Sequence, residues 1–199
     1  MDYYQLVARH FQHSMEAISL SVDTLAEPLY RASVLLTDSF LHDRKLISCG
    51  SGPGIVAAQL MVTYLTSQYH RERPALPAMS LCCDNTTLSA ISCDSSNEEI
   101  YSRQIRSLGL PGDVLLVVDE PRNRPPLIRA IEAAHERNLR VILLSSSTDP
   151  AVDATLHQDD IHLAVNSSNA SQRLELQIMT VGCLCELIDQ GLFGDFDGE

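Results

Sequence analysis

The chain has 199 residues, 45% of them hydrophobic, enough for one well-buried α/β domain. A formal net charge of −12 argues against a nucleic-acid surface, whose affinity comes from Lys and Arg neutralising phosphates, and against an anionic membrane; it permits a basic protein partner. The six cysteines, Cys49, Cys82, Cys83, Cys93, Cys183 and Cys185, form no C-x-x-C pair, which points to buried free thiols in a reducing cytoplasm rather than to disulfides or a metal site.

Residues 1–42 read as a pair of helices. In the first, Leu6, Val7, Phe11, Met15 and Ile18 recur at helical spacing; the second runs from Leu25 to Leu41, with Pro28 suited to a first turn. Such a pair packs on the core behind it or on a neighbouring subunit. The opening MDYYQLVARH is polar and amphipathic, unlike a secretory signal, and no apolar run approaches the roughly 20 residues that span a bilayer.

From residue 43 to 193 strands and helices alternate. The predicted strands are Leu46–Cys49, Ala78–Leu81, Val114–Val118, Val141–Ser145 and Ile161–Val165, most of them apolar throughout, as central parallel strands are. The predicted helices are Ile55–Tyr69, Thr86–Ser92, Glu98–Leu108, Pro126–Arg137 and Ser171–Leu192. This is the pattern of a doubly wound parallel sheet, whose ligands bind beyond the carboxyl ends of the strands. The loops to watch are therefore Gly50–Gly54, Cys82–Thr86 and Asp119–Arg124. Residues 194–199 read as a short acidic tail.

KLISCGSGPG, Lys45 to Gly54, has the strand–loop–helix frame in which backbone N–H groups receive a phosphate, with Ser51 and Gly52 at its centre. The chemical companions of such a loop are scarce, because the next helix offers Leu60, Met61 and Tyr64. Thr86 and Thr87, after Asp84, suit a helix N-cap or a ligand contact. His10 and His13 lack a third ligand and read as a solvated face. Cys49, Cys82 and Cys93 read as packing.

The strings NEEIYSRQIRSLGLPGDVLL, KLISCGSG, RERPALPA and CLCELID together resemble the phosphoheptose isomerases of the sugar isomerase (SIS) fold, over nearly the whole chain. A close relative in that family is the DnaA initiator-associating protein, a replication regulator. The resemblance implies an α/β fold with a five-stranded parallel sheet flanked by helices, a homotetramer, an active site between subunits, and proton transfer on a heptose phosphate, often with bound zinc. Carried over residue by residue, however, the machinery is missing. Ala58 and Gln59 match the isomerase pattern A-Q-H-x-x-x-E, but Leu60 stands at its His and Tyr64 at its Glu. On the C-terminal helix Leu174 and Gly182 stand where the family has a Gln and a His, although Glu175 is kept. Leu cannot hold zinc or a proton, and Gly brings no side chain. The phosphate pattern S-T-S-G-N-S becomes Asp119, Glu120, Pro121, Arg122, Asn123 and Arg124. Its carboxylates repel a phosphate by about 1 kcal/mol each at contact in water. Arg122 and Arg124 are expected to pair with Asp119 and Glu120 more readily than to recover the anion.

These comparisons imply no catalytic residue, no metal and no cofactor. A vestigial phosphosugar pocket would use Ser51, Gly52, Asp84, Thr86, Asn123 and Glu175. With Gly191 as helix cap, Leu192 and Phe193, rimmed by Asp189, Asp195 and Asp197, form a candidate partner patch. Three functions stay open: a regulatory adaptor for a DnaA-type initiator, an active isomerase of sedoheptulose 7-phosphate, and a sugar-phosphate or nucleotide-sugar sensor.

Overall fold

Five apolar runs become a parallel sheet of order β2-β1-β3-β4-β5, built from β1 (Leu46–Gly50), β2 (Ala78–Ser80), β3 (Val114–Val118), β4 (Arg140–Ser145) and β5 (Ile161–Ala164). This computed structural model describes residues 2–120, 124–146, 154–167 and 169–194. Side chains alternate across the sheet. Leu46, Val114, Leu116, Val118, Ile142 and Leu144 enter one core cluster, while Ile47, Cys49, Leu115, Val117, Val141 and Leu143 enter the other. Helices α1 (Tyr3–Leu41), α2 (Gly54–Thr66) and α6 (Ala170–Phe193) cover the first face. Helices α4 (Ser102–Leu108) and α5 (Pro125–Glu136), with α3 (Asn85–Asp94) at the margin, cover the second. Pairing β1 with β2 on one side and β3 on the other puts the topological switch between the loops after β1 and β3.

Several sequence expectations need correction. The N-terminal pair is one helix, α1, of 39 residues. Nothing between Ile18 and Leu25 breaks it, because the hydroxyls of Ser21 and Thr24 donate to Ala17 O (2.7 Å) and Ser21 O (3.0 Å) within the helix. Pro28 lies inside; Thr24, whose carbonyl it deprives of an N–H, is exposed to water. The expected helix Glu98–Leu108 is a 3₁₀ turn, Asn97–Glu99, followed by α4. The break falls at Tyr101, whose buried hydroxyl donates to Gly50 O (2.8 Å). Gly191 is no cap. It sits inside α6, where a Cβ would come 2.9 Å from Thr37 Oγ1, so it lets α1 and α6 approach closely; the cap is Gly194, at φ 78°. Only Cys49, Cys82 and Cys185 are buried; Cys83, Cys93 and Cys183 are exposed, and all six thiols are free. Helix α6 is also long and apolar enough to cross a bilayer by length and composition, contrary to the run-length argument. Half of its most apolar stretch is buried against the chain itself, as in a core helix. The acidic tail beyond Gly194 lies outside the described residues.

Two of the quoted motifs turn out to be structural anchors. In PGDVLL, Gly112 takes φ 89°, and the fully buried Asp113 carboxylate accepts from the N–H groups of Lys45 (3.0 Å) and Leu110 (2.8 Å) and pairs with Lys45 Nζ (2.5 Å). This ties the amino ends of β1 and β3 together. In RERPALPA, the Arg73 guanidinium is 1% exposed and donates to Tyr64 O (2.7 Å), Leu65 O (3.0 Å) and Asp189 Oδ1 (2.6 Å). It closes the C-terminal end of α2 and fastens it to α6. Asp189→Ala leaves that cation buried without its counter-charge, so we expect a loss of about 3 kcal/mol or more in urea unfolding. A loss below about 1 kcal/mol would show the pair to be dispensable.

Candidate functional site

At the carboxyl edge of the sheet the glycine loop folds tightly. Gly52 has φ 51°, and a Cβ on Gly54 would meet Val118 O at 3.1 Å and Val118 Cγ1 at 3.0 Å. The small residues thus serve the close packing of this loop on β3 as well as any ligand. Ser51 is buried and bridges the switch point. Its hydroxyl accepts from Glu120 N–H (3.1 Å), and its own N–H donates to Val118 O (3.1 Å). Beside it opens a cleft of about 380 Å³, lined among others by Gly50, Ser51, Gly52, Leu88, Asn97 and Tyr101. Of the predicted pocket residues, Ser51 and Gly52 line this cleft; Asp84, Thr86 and Glu175 do not. Asn123, together with Pro121 and Arg122, lies outside the described residues.

Asp84, rather than either threonine, caps α3. Its Oδ1 accepts from Thr86 N (3.0 Å) and Thr87 N (3.1 Å), and its Oδ2 accepts from Thr87 Oγ1. The Thr87 hydroxyl, aided by these N–H groups, holds the carboxyl below the usual range. Glu175 is half-buried on α6, where it accepts from Ser171 Oγ (3.2 Å) and faces His10 of α1 at 3.8 Å. Leu192 and Phe193 are half-buried and pack on the main core, with the Arg71 guanidinium 5.6 Å from the Phe193 ring centroid and bonded to Phe193 O and Gly194 O. The pair thus contacts its own chain. Tyr101 and Asn97, missed as site residues in the sequence, stand in the NEEIYSRQI segment that carried the resemblance. Composition gave no signal that this segment folds back over Gly50.

The loop after β3 supplies its own charges. Asp119 and Glu120 are buried; Asp119 faces Arg124 at 3.3 Å and Glu120 faces Arg173 at 3.2 Å. The expected pairing of Arg124 is what the structure has. Gln177 Nε2 donates to Asp119 O (3.4 Å). Among the described residues, Asp119 Oδ1, Glu120 Oε1 and Gln177 Oε1 accept no hydrogen bond. A phosphate brought here would meet carboxylates and orphaned acceptors, while the nearby guanidinium groups already have carboxylate partners.

The positions matched to the isomerase pattern hold packed side chains. The Tyr64 and Tyr69 rings meet with centroids 4.7 Å apart and planes tilted by 56°, and the Tyr69 and His70 rings at 3.9 Å and 54°. A Cβ on Gly182 would lie 2.7 Å from the Tyr69 hydroxyl oxygen. Leu60 and Tyr64 both pack against the main core cluster.

Burial raises the Asp119 carboxyl to about 6, with Glu120 pushing the same way and Arg124 opposing. A carboxyl raised on folding binds its proton more tightly in the folded state. Its contribution to stability is therefore fully present below the unfolded pKa near 4 and is lost as pH rises through about 6. Relative to Asp119→Asn, the native chain should gain about 1–2 kcal/mol as pH falls from about 7 to about 4. Parallel pH–stability curves for the two chains would contradict this.

Comparison with known proteins agrees with this geometry. Residues 10–146 match the SIS domain. The phosphoheptose isomerase of Chromohalobacter salexigens is 34% identical over 194 residues, covering 98% of each chain. The DnaA initiator-associating protein DiaA of Photorhabdus laumondii is 33% identical over 183 residues, covering 92% of this chain and 93% of that one. The structure of a phosphoheptose isomerase from Francisella tularensis superposes with a TM-score of 0.90 at 29% identity, covering 96% of this chain and all of that one. With its 2-1-3-4-5 sheet, its glycine loop at the switch point and this similarity along nearly its whole length, the chain belongs to the SIS-domain family.

Proposed function

We propose that this chain is a non-catalytic SIS-domain protein of the cytoplasm that acts as a regulatory adaptor, its partner being a DnaA-type replication initiator. The observation that carries the reading is the Tyr69 hydroxyl over Gly182, at the position where the isomerase resemblance calls for a histidine. A histidine cannot be placed there without moving Tyr69, and Leu60 and Tyr64 stand where the isomerase pattern has its His and Glu. The self-paired charges at Asp119 and Glu120 support it further, because they oppose a phosphate group. The initiator as partner rests on the name of the DiaA relative alone.

A second reading, an active isomerase, is favoured by the phosphoheptose isomerase of Chromohalobacter salexigens, similar from end to end. A third, a sugar-phosphate sensor, is favoured by the cleft beside Ser51 and Gly52. Three measurements on one preparation separate the readings. The purified chain is assayed for turnover of sedoheptulose 7-phosphate, and the same preparation is tested for thermal shift by that sugar and for capture by purified initiator. Loss of one general acid or base alone lowers rate by about 10²–10⁴, so with several absent we expect no turnover above background. We also expect initiator capture. Turnover abolished by Glu175→Gln would overturn the adaptor in favour of the isomerase; a sugar-induced shift without turnover or capture would favour the sensor.

The adaptor is further proposed to be a homotetramer. Helix α1 leaves Leu6, Val7, Phe11, Met15 and Leu20 exposed, and its first buried residue is Ser21. An apolar half-helix of this kind is stable in water when another copy covers it. Light scattering should give about four times the 21.9 kDa chain mass. A monomer at micromolar concentration would contradict the assembly. On this reading Leu192 and Phe193 remain the candidate contact for the partner. Leu192→Ala/Phe193→Ala should keep the assembly and lose capture, and capture by the folded double mutant would place the contact elsewhere.

A further inference from the structure

At the amino edge of the sheet, opposite the glycine loop, three potential metal ligands from separate segments converge. His135 stands in the last turn of α5, and His157 and Asp160 stand on the segment leading into β5. One ligand atom from each, all within 4.8 Å of one another, can be chosen from the three side chains. We propose that His135, His157 and Asp160 form a zinc site with three protein ligands and a water in the fourth position.

The donor chemistry selects the ion. Two imidazoles and a carboxylate suit Zn²⁺, which holds nitrogen and oxygen at about 2.0–2.2 Å in a tetrahedron. The carboxylate is already oriented by other groups. Asp160 Oδ1 accepts from Val141 N (2.9 Å) and Oδ2 from His157 N (2.8 Å), the outer hydrogen bonds by which metal-binding carboxylates are usually fixed. His135 Nε2 lies 2.7 Å from Asp160 Oδ2. A tetrahedral ion would widen that separation to about 3.3 Å and displace the proton between them to solvent.

The rings of His135 and His157 stack at 3.6 Å and 11°. Parallel rings cannot both aim a lone pair at one point, so His157 must tilt out of the stack. It is exposed on a loop, whereas His135 is largely buried on its helix. The ion would clamp residues 154–160 onto α5. That edge is remote from the carboxyl-edge loops where ligands of such sheets bind, so the site is structural rather than catalytic. The sequence pattern implied no metal, and spacing alone could not have paired His135 at a helix end with His157 on a later loop.

The test titrates the full chain, freed of metal, with Zn²⁺ by calorimetry and with Co²⁺ by absorption, beside His157→Ala. The native chain should bind about one ion per chain at micromolar affinity, melt higher with zinc, and give Co²⁺ d–d bands without a thiolate charge-transfer band. His157→Ala, a change at an exposed ring, should weaken binding at least about tenfold while melting as the metal-free native chain does. No binding, equal binding by His157→Ala, or a thiolate band pointing to Cys83, Cys93 or Cys183 would each overturn the site. If His157→Ala fails to fold, Asp160→Asn read by the same Co²⁺ spectrum decides the matter, with unchanged spectrum and affinity counting against the site.

Discussion

The Arg73 guanidinium holds this structure where its family chemistry would lie. A cation at 1% exposure survives only if its donors are met, and here they are met by the last carbonyls of α2 and by Asp189 of α6. One side chain therefore fixes how α2 docks on α6. The positions matched to the isomerase metal and proton-transfer groups, Leu60, Tyr64, Leu174 and Gly182, lie on these two helices. The docking fixes these positions relative to one another.

Where the isomerase pattern has polar groups, these positions pack. Tyr69 reaches Gly182 and lies against Tyr64, and the half-buried Leu60 lies against the main core. The β3 loop followed another course. It carries charge, and the charges face inward, Asp119 to Arg124 and Glu120 to Arg173. Desolvation pushes the Asp119 carboxyl up toward 6 despite its guanidinium neighbour. The carboxyl edge of the sheet thus carries its own anions where the family's pattern places hydroxyl donors for a phosphate.

The exposed apolar half of α1 and the covered half of α6 follow from the same packing rules. Buried residues of α1 begin at Ser21, and from there the helix lies on α6 with Gly191 admitting Thr37 at close range. Before that point α1 meets its own chain only lightly among the described residues, with His10 facing Glu175 and Ala17 and Ile18 against the main core. Half of α6 is covered, which is why a helix apolar enough for a bilayer serves here as a core element.

Much of the architecture was legible in the sequence. Apolar runs at Val114–Val118 and Val141–Ser145 declare central parallel strands, and the glycine loop declares a ligand-binding loop at the sheet edge, because these signals are local in the chain. The departures from the isomerase pattern, at Leu60, Tyr64, Leu174 and Gly182, were read from residue identity alone. Other features depend on residues distant in sequence. The interruption at Tyr101, the approach of Tyr69 to Gly182 and the meeting of His135 with Asp160 were decided by tertiary structure. Identity and periodicity determine which elements form and which chemistry is available to each. Which side chain occupies the space another has vacated is set by helix docking, and docking is a property of surfaces that a linear pattern does not bring together.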